Sequence, residues 1–163
     1  MSRGGTEREK KMRLPYETVK TDPGRNVGRL REILGKFGAS EFYTRDRFDT
    51  GELEIGFIYK GMPVRFPIEV SGYAKLLMRS HRRMPEKVAR VQAARSMASM
   101  AVDYLKSCVA AVESGLLSFE DVFLAHFVVL THDGEHRQLG QVMKPRLAEL
   151  SQGHWKGLLV EKT

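Results

Sequence analysis

The chain has 163 residues, of which 42% are hydrophobic and 29% are charged, a composition typical of one globular domain with a buried core. Its formal net charge of +7 favours an anionic partner, and nucleic acid is favoured over a membrane surface. The longest apolar stretch, residues 123–130, is interrupted by His126 and is too short to span a bilayer. The polar N-terminus has no signal-peptide pattern and the single cysteine has no disulfide partner, so a cytoplasmic protein without membrane association is predicted.

Residues 1–24 predict a flexible basic arm, because glycines and prolines lie among charges without apolar periodicity. From Asn26 to Phe37, apolar residues recur at spacings of three and four, which predicts a short amphipathic helix closed by Gly38. The next thirty residues alternate with a period of two and predict three antiparallel strands with one apolar face. Pro67 cannot donate a ladder hydrogen bond, so the third strand is predicted to be an edge or to bond its partner only on alternate residues.

A short helical segment around residues 73–79 precedes the longest predicted element, a helix from Pro85 to Glu113 that stops at Gly115. The first half of its predicted buried stripe is small, which requires a closely packed neighbour. The stripe consists of Val88, Val91, Ala94, Ala98, Ala101, Leu105, Cys108 and Val112. Because this helix has more apolar surface than the other elements readily cover, the pattern also allows a homo-oligomer.

Ser118 and Asp121 predict a capped start for another short helix, followed by an extended segment at residues 127–130. After a turn at Asp133 and Gly134, residues 139–150 predict a last helix that is bent or restarted at Pro145. These patterns predict an α+β fold in a single domain: a helix, a three-stranded antiparallel sheet, a long helix and then short helices. The predicted domain covers residues 25–152, with a C-terminal tail at residues 153–163.

The positive charge is concentrated in residues 73–95, where seven basic residues and one acid, Glu86, give a formal charge of +6. The other 140 residues contain 20 basic and 19 acidic side chains and carry only +1. The guanidinium group of arginine and the N-terminus of a helix both bind phosphate well, so one nucleic-acid-binding patch is predicted around the start of the long helix. The alternative is an ordinary solvated basic face. Its members are Arg79, Arg82, Arg83, Lys87 and Arg90.

A second candidate surface is the sheet face opposite the apolar row, which is predicted to carry Arg45, Lys60 and Arg65 beside Tyr43. Basic side chains around an aromatic ring could accept a nucleic-acid strand by charge and stacking. Alternation also produces a polar outer face in every half-buried antiparallel sheet, so a solvated face is the alternative here too.

No motif in the sequence is typical of a particular enzymatic reaction. Residues 132–136 form the densest set of metal-ligand types, but a turn at their centre and the lack of a cysteine pair argue against a zinc site. Glu54 and Glu69 share the polar sheet face and could serve a metal-dependent nuclease, whereas Asp46 falls on the apolar side. With no phosphate loop, nucleophile elbow or dinucleotide fingerprint, no catalytic residue, metal or cofactor is predicted, and a nuclease stays a third hypothesis.

The order helix, three strands, helix is similar to that of the double-stranded-RNA-binding domain. The similarity is one of order alone, because that family's lysine-rich signature does not occur in its usual form near the start of the long helix, where Arg82, Arg83 and Lys87 lie. Element order does not fix function, so this similarity is not a reason to prefer RNA, and DNA is favoured over RNA as the partner.

Two stretches, REILGKFGASEF and ESGLLSFEDVFLAHFVV followed by DG, resemble a family of small uncharacterised proteins encoded by bacteriophages and prophages. The resemblance covers half of the chain and implies a mobile-element context without catalytic residues. An acid-rich triplet of that family is reduced here to Glu120 and Asp121.

The leading hypothesis is therefore a phage or mobile-element protein that binds the nucleic-acid backbone electrostatically, in replication, recombination or transposition. The second hypothesis is a subunit of a phage-encoded complex, or a modulator of a host enzyme, whose patch meets an acidic protein. Salt weakens both kinds of contact, so competition by heterologous nucleic acid is the observation that separates them.

Overall fold

The computed structural model describes residues 13–47 and 52–152; residues 1–12 of the predicted arm and the whole predicted tail lie outside the described residues. The predicted α+β fold is confirmed. In chain order the elements are α1 (Pro23–Phe37), β1 (Glu41–Arg47), β2 (Glu52–Tyr59), β3 (Met62–Glu69), α2 (Val70–Ser80), α3 (Glu86–Glu113), α4 (Phe119–Phe123), a 3-10 turn (Leu124–His126), β4 (Val128–Leu130), β5 (His136–Gln138) and α5 (Leu139–Ser151).

Helix α1 begins at Pro23, three residues before the predicted start, because Asp22 caps it. The Asp22 carboxylate accepts hydrogen bonds from the backbone N–H groups of Gly24 (2.9 Å) and Arg25 (3.3 Å). Pro23 occupies the first helical position, where its missing N–H would be unbonded in any case. The predicted end at Gly38 is confirmed, since this residue takes the left-handed conformation (φ +103°) that closes many helices.

Residues 13–22 do not form the separate arm that the sequence predicts for them, because they pack along α3. The Ser96 hydroxyl donates to the Tyr16 carbonyl (2.8 Å), and the Gln92 amide donates to the Val19 carbonyl (2.8 Å). The Tyr16 hydroxyl in turn donates to the Asp103 carboxylate (2.6 Å). These bonds attach the segment to the domain, so the predicted boundary at residue 25 lies too far along the chain.

The three long strands form one antiparallel sheet in the order β1, β2, β3. In its register Ile55 lies opposite Phe66 and Phe57 lies opposite Val64, so the predicted apolar residues share one face. That face is covered by α1, α4 and the second half of α3. The opposite face, which we call the outer sheet face, carries the predicted polar positions.

Strand β3 lies at the edge of this sheet, which is one of the two arrangements predicted from Pro67. The Gln138 side chain donates to the Arg65 carbonyl, which therefore points away from β2. Backbone groups of alternate residues point the same way, so Pro63 and Pro67 also face outward and remove no hydrogen bond between β2 and β3. The two prolines remove two outward N–H donors from this edge, which nevertheless pairs with Phe127 at Val64.

Two apolar clusters hold the elements together. The second and smaller cluster lies between α2 and the first half of α3 and contains Tyr73, Ala74, Leu77, Ala89 and Ala93. Each large apolar side chain that becomes fully buried stabilises the fold by about 1.5–3 kcal/mol, so the main cluster carries most of the stability. The most buried side chains of the main cluster are Leu30, Leu34, Ile55, Phe57, Val64, Leu105 and Phe123.

The register predicted for the first half of α3 is wrong. Val88 and Val91, predicted to be buried, are 51% and 49% exposed, whereas Ala89 and Ala93 are fully buried. Helix α2 packs on this half with its own small residue, Ala74, and close helix packing requires small side chains on the facing surfaces. A closely packed neighbour is therefore confirmed, but on a different face of the helix.

The C-terminal elements pack near the outer edge of β3, where Val64 bridges to Phe127. The predicted extended segment is confirmed as β4, and Gly134 (φ +80°) lies in the predicted turn, whereas β5 is not predicted. Helix α5 continues through Pro145 instead of restarting there. Across residues 13–47 and 52–152, the structure shows no helix with the length and apolar character needed to cross a membrane.

Candidate nucleic-acid interface

Arg82 and Arg83 lie at the tip of a tight turn between α2 and α3. The turn is closed by a hydrogen bond from the Met84 N–H to the His81 carbonyl (2.8 Å), which places both arginines at its two central positions. Both arginine side chains are exposed. We call residues 81–84 the basic turn.

Both ends of the basic turn are anchored. His81 Nε2 lies 3.2 Å from Glu17 Oε2, and Met84 packs against the smaller apolar cluster. The hydrogen bond with His81 lowers the pKa of the Glu17 carboxyl, and a hydrogen bond from the Leu14 N–H (3.2 Å) acts in the same direction. The turn is thus held from within the domain while its arginines face solvent.

Four of the five cations predicted around this turn form no ion pair with any residue that the structure describes. Within the described part of the chain, no acidic side chain lies within 4.0 Å of the charged groups of Arg79, Arg82, Arg83 or Lys87. The fifth, Arg90, is paired, because its Nη2 lies 2.9 Å from Glu86 Oε1 on the next turn of α3. Because these five cations lie on the hairpin formed by α2, the basic turn and α3, we call them the hairpin surface. Four of its positive charges are open to an anion.

The start of α3 adds to the positive potential of the hairpin surface. This helix has 28 residues and begins at Glu86, so Pro85, predicted to be its first residue, is instead its N-cap, without a side-chain hydrogen bond to the first turn. The first backbone N–H groups of a helix have no intrahelical partner, and the helix dipole places about half a positive charge there. An anion at this end would therefore meet backbone N–H groups beside Lys87 and the basic turn.

The outer sheet face differs, because its arginines already have an acidic partner. Glu54 lies opposite Arg45 in the β1–β2 register, and its Oε1 is 3.9 Å from Arg45 Nη1. Its Oε2 is 3.8 Å from Arg65 Nε on the other neighbouring strand. Glu54 is only 8% exposed, and a buried carboxylate requires such compensation. The three groups together carry a single positive charge.

Lys60 does not lie on the outer sheet face, contrary to the prediction. It occupies the turn between β2 and β3 with φ +48°, followed by Gly61 with φ +77°. Positive φ at both central residues is typical of a tight hairpin turn, so the strand alternation ends at Tyr59. Lys60 Nζ lies 5.3 Å from the centroid of the Tyr59 ring, which stacks on Phe37 of the main core.

Tyr43 covers a glycine of the outer sheet face. A Cβ atom added to Gly56 would lie 2.0 Å from Tyr43 Cζ, so the tyrosine ring can rest on β2 only because residue 56 is glycine. Burial of the ring is the main cause that raises the pKa of Tyr43, and the neighbouring Glu54 charge adds to it. One side of this ring is therefore already occupied by the sheet.

His126 connects the β3 edge to the C-terminal elements. Its ring lies 4.0 Å from the Phe66 ring, and its nitrogens lie 3.5 Å from the Tyr104 hydroxyl and from Gln138 Nε2. Burial lowers the pKa of His126, partly offset by a hydrogen bond with the Arg65 backbone. These contacts make His126 a packing residue.

The acidic residues considered for catalysis or metal binding lie on different faces of the sheet or are paired with arginine. The strand register places Glu54 and Glu69 on the outer sheet face and Asp46 on the apolar side, as the alternation predicted. In the turn after β4, Asp133 and Glu135 each lie 2.7 Å from Arg137 Nη2. Across residues 13–47 and 52–152, no three His, Cys, Asp or Glu side chains are grouped so that they could share a metal ion.

Sequence reasoning missed the groups that support the basic turn, above all Glu17. It also missed the polar stripe of α3 that binds residues 16–26, although a spacing of four, three and four residues marks one helix face. Asn26 Nδ2, for example, donates to Ser99 Oγ (2.9 Å). The stripe consists of Gln92, Ser96, Ser99 and Asp103.

The chain matches no protein-family model, no curated protein and no solved structure. The resemblances to a phage-encoded family and to the double-stranded-RNA-binding domain therefore stay predictions. The charged surfaces of the described residues are the basis on which a function can be inferred.

Proposed function

We propose that this protein binds nucleic acid, with DNA favoured over RNA, through the hairpin surface. The observation that carries the proposal is the set of four exposed cations that have no acidic partner among residues 13–47 and 52–152, two of them at the tip of an anchored turn. Concentrated positive charge beside a folded core is typical of a surface that meets phosphates. The context proposed for this binding is a phage or other mobile element.

The proposed mechanism is docking on the phosphate backbone with little readout of bases. Each phosphate that a lysine or arginine neutralises releases condensed counterions, and this release drives binding. The planar guanidinium groups of Arg79, Arg82 and Arg83 can donate two parallel hydrogen bonds to one phosphate. Four contacts by these arginines and Lys87 predict a slope of about −3.6 for log K against log salt on duplex DNA.

A second candidate function is binding of an acidic protein. Leu76, Val88 and Val91 are exposed on the same two helices as the hairpin surface. Apolar side chains beside arginine are typical of protein interfaces, in which arginine and buried apolar contacts dominate the binding energy. Self-association stays a prediction, and like charges make the hairpin surface a poor place for it.

The test is fluorescence anisotropy of the purified chain with labelled single-stranded DNA, duplex DNA and duplex RNA, from about 50 mM to about 200 mM salt. Submicromolar binding with a steep salt slope is expected for DNA, and unlabelled heterologous DNA should compete fully. Absence of binding to all three polymers at the lowest salt would contradict the proposal and would favour the acidic protein.

A further inference from the structure

A carboxylate lies at the base of the surface that is proposed to bind phosphate. The Glu17 side chain is 11% exposed, and its Oε2 is 3.2 Å from His81, the residue that opens the basic turn. Coulomb's law makes any acid near a phosphate site unfavourable. A site built on charge alone would therefore bind better without Glu17.

The segment that carries Glu17 is fixed to both helices of the hairpin. The Tyr73 hydroxyl of α2 donates to the Pro15 carbonyl. From α3, Ser96 donates to the Tyr16 carbonyl and Gln92 donates to the Val19 carbonyl, both at 2.8 Å. Glu17 lies between these attachment points, so the backbone on either side of it is fixed, and this limits where its carboxylate can lie.

The basic turn needs such an anchor, because its charges repel one another. Arg82 and Arg83 are adjacent at the tip, and Arg79 and Lys87 flank it with no acidic partner in the described part of the chain. His81 ends α2 outside the regular helical conformation (φ −124°, ψ 78°), and its ring contacts Glu17 where the chain enters the tip.

We propose that Glu17 is a positioning residue of the hairpin surface: its carboxylate raises the affinity for phosphate by holding the basic turn, although its own charge opposes binding. The inference rests on the proposed function. It predicts a change of affinity opposite in sign to the one that charge alone predicts.

The first test compares Glu17→Gln with Glu86→Gln on labelled duplex DNA. Both changes remove one negative charge, but among the described residues Glu86 pairs only with the exposed Arg90, so its loss frees a cation. We expect E86Q to bind more tightly than the wild type and E17Q to bind about threefold to tenfold more weakly, because only E17Q releases the turn. Binding by E17Q as tight as that of the wild type would overturn the proposal.

A second variant approaches the same contact from the other side. His81→Ala should weaken binding to a similar extent, and the E17Q/H81A double variant should be no weaker than either single variant, because both changes remove one interaction. Additive losses would show that the two residues act separately and would overturn the proposal.

A third measurement does not depend on nucleic acid. Trypsin cleaves after arginine, so the rate of cleavage after Arg82 and Arg83 reports on opening of the basic turn. Faster cleavage in E17Q and H81A than in the wild type and E86Q is expected, and equal rates would overturn the anchoring role. Because this rate is independent of the ligand, failure of the anchor and failure of the proposed function can be told apart.

Discussion

The hairpin surface and the outer sheet face both carry arginines, but they differ in what surrounds those arginines. At the hairpin, the cations follow one another along a turn and the first residues of a helix, and among the described residues only Arg90 of the five is paired, with Glu86. On the sheet, register places Glu54 between Arg45 and Arg65. Charge density in a sequence therefore becomes available surface charge only where the neighbours in space are not acids.

The largest effect on binding is expected from the Arg82→Ala, Arg83→Ala double variant. Removal of both phosphate contacts should weaken binding to duplex DNA by about tenfold or more at moderate salt. Both side chains are exposed, so the melting temperature should be nearly unchanged. The matched R82K/R83K variant should retain most of the affinity, and unchanged affinity in the alanine variant would remove the basic turn from the site.

The outer sheet face should respond in stability more than in binding. In an Arg45→Ala, Arg65→Ala variant, the Glu54 carboxylate loses both of its cationic partners, so the free energy of unfolding should fall by about 2 kcal/mol or more in urea titrations. Adding E54Q removes the buried charge and should recover much of that loss. An unfolding free energy equal to that of the wild type would show that Glu54 does not need the two arginines.

The free energy of unfolding should fall in acid because His126, next to β3, is buried and burial lowers its pKa. The unfolded chain takes up a proton near the ordinary pKa of about 6.5, whereas folded His126 stays neutral to lower pH, so the unfolded state binds more protons between the two values. The free energy of unfolding contributed by His126 should therefore fall as the pH drops below about 6.5. Urea titrations at about pH 7.5 and pH 5.5 should show a smaller decline for His126→Gln, and equal declines would contradict this role.

The smallest effect is expected from Lys60→Ala. Lys60 lies in the β2–β3 turn over Tyr59, away from both arginine groups, so affinity for DNA should not change and stability should change by less than about 0.5 kcal/mol. A loss of affinity comparable to that of R82A/R83A would place Lys60 in the binding site.

Local patterns predicted most of the fold, because caps, turns and strand alternation depend on neighbours in sequence. The helix end at Gly38 and the shared apolar sheet face, which includes Ile55 and Phe66, are examples. Packing between distant elements was not predictable in the same way: Val88 and Val91 are exposed because α2 approaches the opposite face of α3.

The candidate site shows the same limit. Arg82 and Arg83 could be selected from the sequence because their charge is local, but Glu17 lies 64 positions from His81 and no local pattern connects them. For Lys60 two local patterns overlap: alternation extended to residue 60 places it on the sheet face, whereas Gly61 indicates a turn there, and the structure has the turn.

The most direct test is the salt dependence of duplex-DNA binding for three proteins: the wild type, R82A/R83A and the R45A/R65A/E54Q triple variant. Loss of two phosphate contacts at the basic turn should reduce the slope of log K against log salt by about 1.8, whereas the triple variant should keep the wild-type slope. Equal reductions in both variants, or a reduction only in the triple variant, would contradict the assignment of binding to the hairpin surface.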